Sequence, residues 1–275
     1  IRRVFPSYTI IGYDTDMANL KEAYEDGTLT GCSSNVTEDF NICDYIFLCA
    51  PVHYNIDYLP ILKKIIKPTT IITDVGSVKS DIYKAVEEYE LCEHFIGGHP
   101  MVGSESSGYA TSNDRLIENA YYFITPSATV SEEYVRDFNT FIEDLGAIPI
   151  VYSPTAHDEV TAYISHIPHV IAVNLVNLVK STDTKDGINK QLAAGGFKDI
   201  TRIASSSPVV WEHILLSNSD NVIKGLETYI DSISDVINAI KSHDGNQINQ
   251  LFASARDYRN SIPDNATGVI RMTYE

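Results

Sequence analysis

Apolar positions follow two different rules along this chain. Over residues 1–152 they come as short runs, each followed by a stretch with helical spacing. Residues 8–14 read as a strand rich in β-branched and aromatic side chains, and residues 17–26 as the helix after it. Residues 44–50 form a nearly continuous apolar run, the mark of a strand buried on both faces. Helix 56–65, strand 70–75, helix 79–89, a short strand at 95–96, strand 121–125, helix 132–145 and strand 148–152 follow. Strand–helix alternation of this kind predicts a parallel, doubly wound sheet of Rossmann type.

After residue 152 the strand signals stop. Long stretches of 3.6-residue period take over, at 154–180, 208–217, 221–242 and 246–261, joined by short loops such as 181–187. The expected organisation is therefore a nucleotide-type α/β domain over 1–152, an all-helical domain over 153–262 and a C-terminal linker over 263–275. The chain shows no internal repeat and no low-complexity segment.

Composition narrows the partners. The 275 residues carry a formal net charge of −17, scattered rather than in blocks. Such a chain repels phosphate backbones, which argues against nucleic acid. No uninterrupted apolar run reaches the roughly 20 residues that a membrane span needs, so no membrane partner is expected. The opening Ile1-Arg2-Arg3-Val4 has no signal-peptide pattern. The four cysteines form no C-x-x-C pair and fit a reducing cytoplasm, where they would serve as small buried hydrophobes.

The α/β half holds candidate cofactor residues. Asp14 closes the first predicted strand, where an acid hydrogen-bonds an adenosine ribose and repels the extra phosphate of NADP, or simply starts a turn. The glycine fingerprint that should precede such an acid by about 20 residues is not in the sequence, and Arg2–Phe5 would be the tail of the first helix. Ligands of open α/β sheets bind at the carboxyl ends of strands. Cys49, Ala50 and Pro51 lie at one such end. Gly76 and Ser77 lie at the next, where Gly76 permits close approach to a ligand and Ser77 either caps a helix or binds ligand.

Three further segments carry chemistry. In Gly97-Gly98-His99-Pro100-Met101-Val102-Gly103, turn residues clamp one imidazole, suited to proton transfer near neutral pH. Ser165-His166-Ile167-Pro168-His169 puts two imidazoles at i and i+3, but no cysteine or carboxylate cluster with zinc spacing accompanies them, and no metal is expected. Nearby His157 and Asp158 read as substrate-contacting or capping groups. Lys198 and Arg202 stand i and i+4 on a predicted helix beside apolar Ile203, Ala204 and Trp211. They form either a solvated face or a carboxylate clamp.

Together these segments resemble the prephenate/arogenate dehydrogenase family of tyrosine biosynthesis. The resemblance rests on Asp74-Val75-Gly76-Ser77-Val78-Lys79, on Gly98-His99-Pro100-Met101-Val102-Gly103-Ser104-Glu105, on Ser165-His166-Ile167-Pro168-His169, and on Gly195-Gly196-Phe197-Lys198-Asp199-Ile200-Thr201-Arg202-Ile203-Ala204 with Trp211. Each motif alone is weak; four in order across the domain change are specific. It implies oxidative decarboxylation of prephenate to 4-hydroxyphenylpyruvate with NAD as hydride acceptor. It further implies that His99 accepts the proton of the ring hydroxyl, with Ser77 near that hydroxyl and the nicotinamide. Arg202 would bind a substrate carboxylate, and His169, Lys198 and Trp211 would line the substrate pocket. The helical domain would build a homodimer.

The sequence departs from the family at both ends: the glycine loop is missing, and a C-terminal ACT domain found in many relatives is not reached. Rival readings are an arogenate dehydrogenase, a two-domain β-hydroxy acid dehydrogenase, and a non-catalytic nucleotide- or metabolite-binding relative.

Overall fold

The computed structural model describes residues 1–36, 38–103 and 108–263. The expected linker beyond Pro263, and Ser104 and Glu105 of the histidine segment, lie outside the described residues.

Among the described residues, seven strands and eleven α-helices follow one another as β1 (Ile11–Gly12), α1 (Met17–Glu25), β2 (Gly31–Cys32), β3 (Tyr45–Leu48), α2 (Val52–Ile65), β4 (Ile71–Asp74), α3 (Ser80–Glu88), β5 (Ile96–Pro100), β6 (Tyr121–Pro126), α4 (Glu132–Asp144) and β7 (Ile148–Val151), with helices alone after them. These are α5 (Pro154–Thr161), α6 (Ile167–Thr182), α7 (Ile188–Leu192), α8 (Gly195–Thr201), α9 (Pro208–Ser217), α10 (Ser219–Lys241) and α11 (Gly245–Ser261). Side-chain caps account for several helix starts. Asp16 accepts from the N–H groups of Ala18 and Asn19 at the head of α1, and Asp244 accepts from Gln247 at the head of α11.

Strands β1 and β2 pair in parallel, as do β3 and β4. A parallel bridge from Ile72 to Phe95 carries the sheet on to β5, β6 and β7. The sheet is not wholly parallel: β5 and β6 run antiparallel, with His99 opposite Phe123, before β6 and β7 are parallel again. The reason is the connection. A parallel return needs a crossover helix, and between β5 and β6 the described residues supply only a 3₁₀ turn at Tyr109–Thr111.

Alternation along the strands builds two apolar layers. Ile72 joins Ile46, Leu48, Leu59, Leu62, Ile82 and Phe95 on one face. Its neighbour Ile71 joins Ile96, Tyr122, Ile124, Phe138 and Phe141 on the other. A strand buried on both sides has no polar face, and this explains the continuous apolar runs in the sequence. At the N-terminus the backbone N–H groups of Val4 and Phe5 both donate to Ile1 O, closing one turn. Phe5 then stacks on Phe141 at 5.4 Å.

The chain divides into two compact units, one of residues 1–158 with Ser207–His213, the other of Glu159–Ser206 with the described chain from Ile214. The second unit is helical. The predicted 154–180 stretch is not one regular helix: a π-helical turn, Ala162–His166, separates α5 from α6. Helices α7 and α8, short and glycine-flanked, have no clear 3.6-residue signal. Gly225 of α10 lets that helix come close to α6, since a Cβ there would lie 2.2 Å from the Cδ1 of Ile167.

One expectation needs correction. None of the cysteines is buried; Cys32 and Cys49 are exposed, Cys43 and Cys92 intermediate, and all four are free. The helical run Pro154–Thr182, 29 residues with a window of mean hydropathy 1.4, is long and apolar enough to cross a membrane by length and composition alone. Interrupted apolar segments add up to that length once wound into helix. Its polar groups are held by protein: Asp158 accepts from Lys79 and Ser80, and His166 meets Asn218 at 3.1 Å.

Candidate active site

His99 does not sit in a loop. The turn residues around it belong to β5, where Gly97 and Gly98 leave room for neighbours that a side chain would displace. A Cβ on Gly97 would lie 2.4 Å from Thr125 Oγ1, and one on Gly98 would lie 2.5 Å from Tyr122 Oη and 2.7 Å from Asp74 O. Strand alternation turns His99 to the face opposite Tyr122. There it packs on the Phe123 ring at 6.4 Å and is only 9% exposed.

An imidazole–imidazole–carboxylate chain starts from His99. Its Nδ1 lies 2.8 Å from Nε2 of His157, and Nδ1 of His157 lies 2.8 Å from Oδ1 of Asp158. Both partners come from α5. Asp158 Oδ1 also accepts the backbone N–H of Lys79, and its Oδ2 accepts the backbone N–H and the hydroxyl of Ser80. Asp158 thus caps α3 rather than its own helix, and the helix dipole favours its charge. Burial pushes the Asp158 carboxyl up, but the hydrogen bonds from His157, Ser80 and Lys79 outweigh it and hold it below the usual carboxylate range. Burial pushes His157 below the ordinary imidazole value, against the opposing pull of Asp158.

Lys79 ties this chain to the strand. Its Nζ donates to Asp74 Oδ2 at 2.5 Å and to Gly98 O at 2.7 Å. Asp74 in turn accepts from the backbone N–H of Gly76 and of Gly98. The residue before His99 is therefore held through both its N–H and its C=O. Burial lowers the Lys79 ammonium, with Asp74 the main opposing influence.

The expected cofactor residues stand at strand ends. Asn55 of α2 donates to Leu48 O and Ala50 O, fixing the exit of β3 where Cys49, Ala50 and Pro51 follow. Gly76 and half-buried Ser77 follow β4, and the bend needs Gly76 because a Cβ would lie 2.8 Å from Asp74 Oδ2. Asp14 follows β1, exposed, accepting the N–H of Asp16 at 2.8 Å. This is the turn-initiating role, and it leaves a carboxylate at a strand end. An exposed acid after β1 and a glycine bend after β4 fit the ribose and nicotinamide ends of a dinucleotide.

In the second unit His169 is half-buried, with Nδ1 2.9 Å from Ser165 O. Because a carbonyl only accepts, Nδ1 carries the hydrogen and Nε2 is the basic nitrogen. Burial, with a further contribution from Arg202, keeps its pKa below the ordinary imidazole value. Arg202 and His169 are thus neighbours. Lys198 and Arg202 do not share one regular helix: α8 ends at Thr201 and Arg202 opens a 3₁₀ turn. Both side chains are exposed, not set among apolar residues as their sequence neighbours suggested. Trp211 lies on α9, in the segment that groups with the first unit, two residues before His213, whose ring stacks on His53 at 4.3 Å. His166 and His169 have different partners, and among the described residues no group of three or more His, Cys, Asp or Glu is placed to hold a metal.

Sequence reasoning missed Asp74, Lys79 and the joint role of His157 and Asp158. One signal was available: Asp74 ends a strand otherwise made of Ile and Thr, and an acid there is costly unless paired.

The comparisons with known proteins bear on the whole chain. Residues 1–151 match the family model described as prephenate dehydrogenase, nucleotide-binding domain, and residues 153–254 the one described as prephenate dehydrogenase, dimerization domain. The chain is 32% identical over 277 residues to a prephenate dehydrogenase of Bacillus subtilis (strain 168), covering all of this chain and 75% of that protein. Among solved structures it is similar to a prephenate dehydrogenase from A. aeolicus in complex with hydroxyphenyl propionate and NAD+, with a TM-score of 0.87 at 30% identity, covering 94% of this chain and 91% of that one. A Synechocystis arogenate dehydrogenase matches with a TM-score of 0.82 at 25% identity, covering 94% and 92%. On its sequence and its fold alike, this chain belongs to the prephenate dehydrogenase family.

Proposed function

We propose that this protein is an NAD-dependent prephenate dehydrogenase that converts prephenate to 4-hydroxyphenylpyruvate, with His99 as its general base. The observation that carries the role of His99 is its setting: a nearly buried imidazole on a strand, braced by a second imidazole at 2.8 Å. Family membership supports the reaction, and the strand-end residues suit the cofactor.

Asp14 would hold the adenosine ribose, and Cys49, Ala50, Pro51 and Gly76 would border the nicotinamide end. When bound there, NAD+ supplies the acceptor for the hydride of the hydroxyl-bearing ring carbon. His99 takes the hydroxyl proton, so that the oxygen becomes a carbonyl as the hydride departs. Ser77 orients the hydroxyl. Loss of the ring carboxylate as CO₂ then aromatises the ring. Arg202 binds a carboxylate of the dianionic substrate in bidentate fashion, and His169, Lys198 and Trp211 line its pocket.

The homodimer of the family model's dimerization domain fits the second unit. Ile230, Ile233, Ile237 and Ile240 of α10 form an exposed row at spacings of three and four residues, a seam suited to a second copy.

NADH formation followed on adding prephenate tests the reaction. The His99→Asn variant should lose about 10²–10⁴ in kcat, and undiminished turnover by that variant would remove His99 from the role. The similarity to an arogenate dehydrogenase favours one second reading, in which the side chain carries an amino group instead of a keto group. Rates on both substrates with NAD+ and NADP+ decide between them.

A further inference from the structure

We propose that His157 and Asp158 are positioning residues that hold neutral His99 as its Nδ1–H tautomer, so that Nε2 is the nitrogen that takes the substrate's proton. The proposal rests on reading His99 as the base and assigns that base a nitrogen and a mechanism of support.

The argument runs along the chain of hydrogen bonds. Asp158 receives donors on both oxygens, from His157 and the Lys79 N–H on Oδ1 and from Ser80 on Oδ2. An ionised carboxylate has no hydrogen to give. Nδ1 of His157 therefore carries the hydrogen between the two, and in neutral His157 the other nitrogen, Nε2, is an acceptor. His99 Nδ1 stands 2.8 Å from that acceptor, and the only hydrogen bond it can make there is as a donor. The lone pair of neutral His99 is then on Nε2. Direction thus passes from a carboxylate, through one ring, to the second.

The same chain changes the energy of the protonated state. When the proton leaves the substrate hydroxyl and bonds to Nε2, its O–H electron pair stays on the oxygen, and His99 becomes a cation whose Nδ1–H points at a ring polarised by Asp158. Around His157, burial and Lys79 at the head of α3 oppose a cation, while Asp158 on α5 and Asp74 at the end of β4 favour one. The imidazolium form of His99 gains instead from the hydrogen bond that its Nδ1–H gives to His157 Nε2. Removing His157 takes that acceptor away and should weaken the base.

Two measurements on the full chain test this. In ¹⁵N-labelled protein the eight histidines give separate imidazole signals, and His99 is identified by its loss in His99→Asn. At a pH where His99 is neutral, the expected pattern is a protonated Nδ1 and a bare Nε2. The reverse pattern overturns the proposal, and this measurement needs no activity. The second measurement is the pH profile of kcat. His157→Leu should lower kcat about 10–100-fold, the range for losing the outer hydrogen-bond partner of a metal-bound histidine, with little change in KM. It should also move the acid limb to lower pH. His157→Gln keeps an acceptor for His99 Nδ1 and should restore the tautomer and, in part, the limb. A His157→Leu protein with the wild-type tautomer and limb overturns the proposal. If instead His99→Asn turns over at the wild-type rate, the reading of His99 as base fails, and the tautomer result still decides what orients the ring.

Discussion

Lys79 and Asp74 form an ion pair with a 2.5 Å contact, and neither side chain has any solvent exposure. One lysine thereby links three parts of the site: its ammonium holds Asp74 and the carbonyl of Gly98, and its backbone N–H holds Asp158. Ion pairs this deep are poor sources of net stability, because desolvation offsets attraction. Their value here is geometric. The residue before His99 and the carboxylate behind His157 are fixed by the same residue.

Lys79→Met should therefore be severe. Breaking a buried pair leaves a stranded charge and costs about 3–5 kcal/mol. A urea titration should show the loss as a lower midpoint. Lys79→Met combined with Asp74→Leu should recover part of it; no recovery would show that the loss is not electrostatic.

Acid should destabilise the protein in a defined window. His157 and His169 both have folded pKa values depressed from 6.5. As pH falls below 6.5, the unfolded chain binds protons that the folded chain does not. Stability then drops with each step of pH until the folded pKa of the group is reached, more for the buried His157 than for the half-buried His169, which solvent screens. Asp158, depressed from 3.8, contributes stability that is present above that value and lost below it. Denaturation midpoints measured from pH 7 downward should decline, and His169→Gln should flatten the first part of the decline.

Gly98→Ala should disturb the site without touching a reacting group. The new Cβ meets Tyr122 Oη at 2.5 Å and Asp74 O at 2.7 Å. Overpacking of this kind costs about 1–3 kcal/mol. Tyr122→Phe removes only the first contact, so the double variant should recover stability in part, with Asp74 O and the ring carbon Cε1, 3.0 Å away, setting the remainder. Thermal melts of the three variants give the comparison.

Arg202→Gln should act mainly on binding. Losing one charge-assisted hydrogen bond costs about 1.5–3 kcal/mol, which corresponds to roughly a 10- to 150-fold rise in KM. A large fall in kcat with unchanged KM would move Arg202 from binding to chemistry.

The α10 row predicts the oligomer. Ile230 is 61% exposed and Ile237 44% in the single chain. Aspartate at both positions should shift sedimentation from dimer toward monomer. A variant that stays dimeric places the interface elsewhere.

Much of the fold was legible in local pattern. The runs at 44–50 and 70–75 are strands because a strand covered on both faces cannot afford polar positions, and the structure places β3 and β4 inside them. The long periodic stretches after residue 207 appear as α9, α10 and α11 within a few residues. The histidine segment was misplaced for an equally local reason. Glycine and proline signal turns, whereas Gly97 and Gly98 are small because Thr125, Tyr122 and Asp74 crowd against the strand from elsewhere in the chain.

The same division holds for the site. The sequence by itself determined the two-regime architecture, the family motifs and His99 as the imidazole to watch, since periodicity and residue type are properties of neighbouring positions. Only the tertiary structure decided that β5 runs against β6, that Lys79 is buried on Asp74, and that His157 and Asp158, 58 and 59 positions further on, stand behind His99. Hydrogen bonds and desolvation depend on distance in space, and no local pattern records which residues the fold will bring within 3 Å.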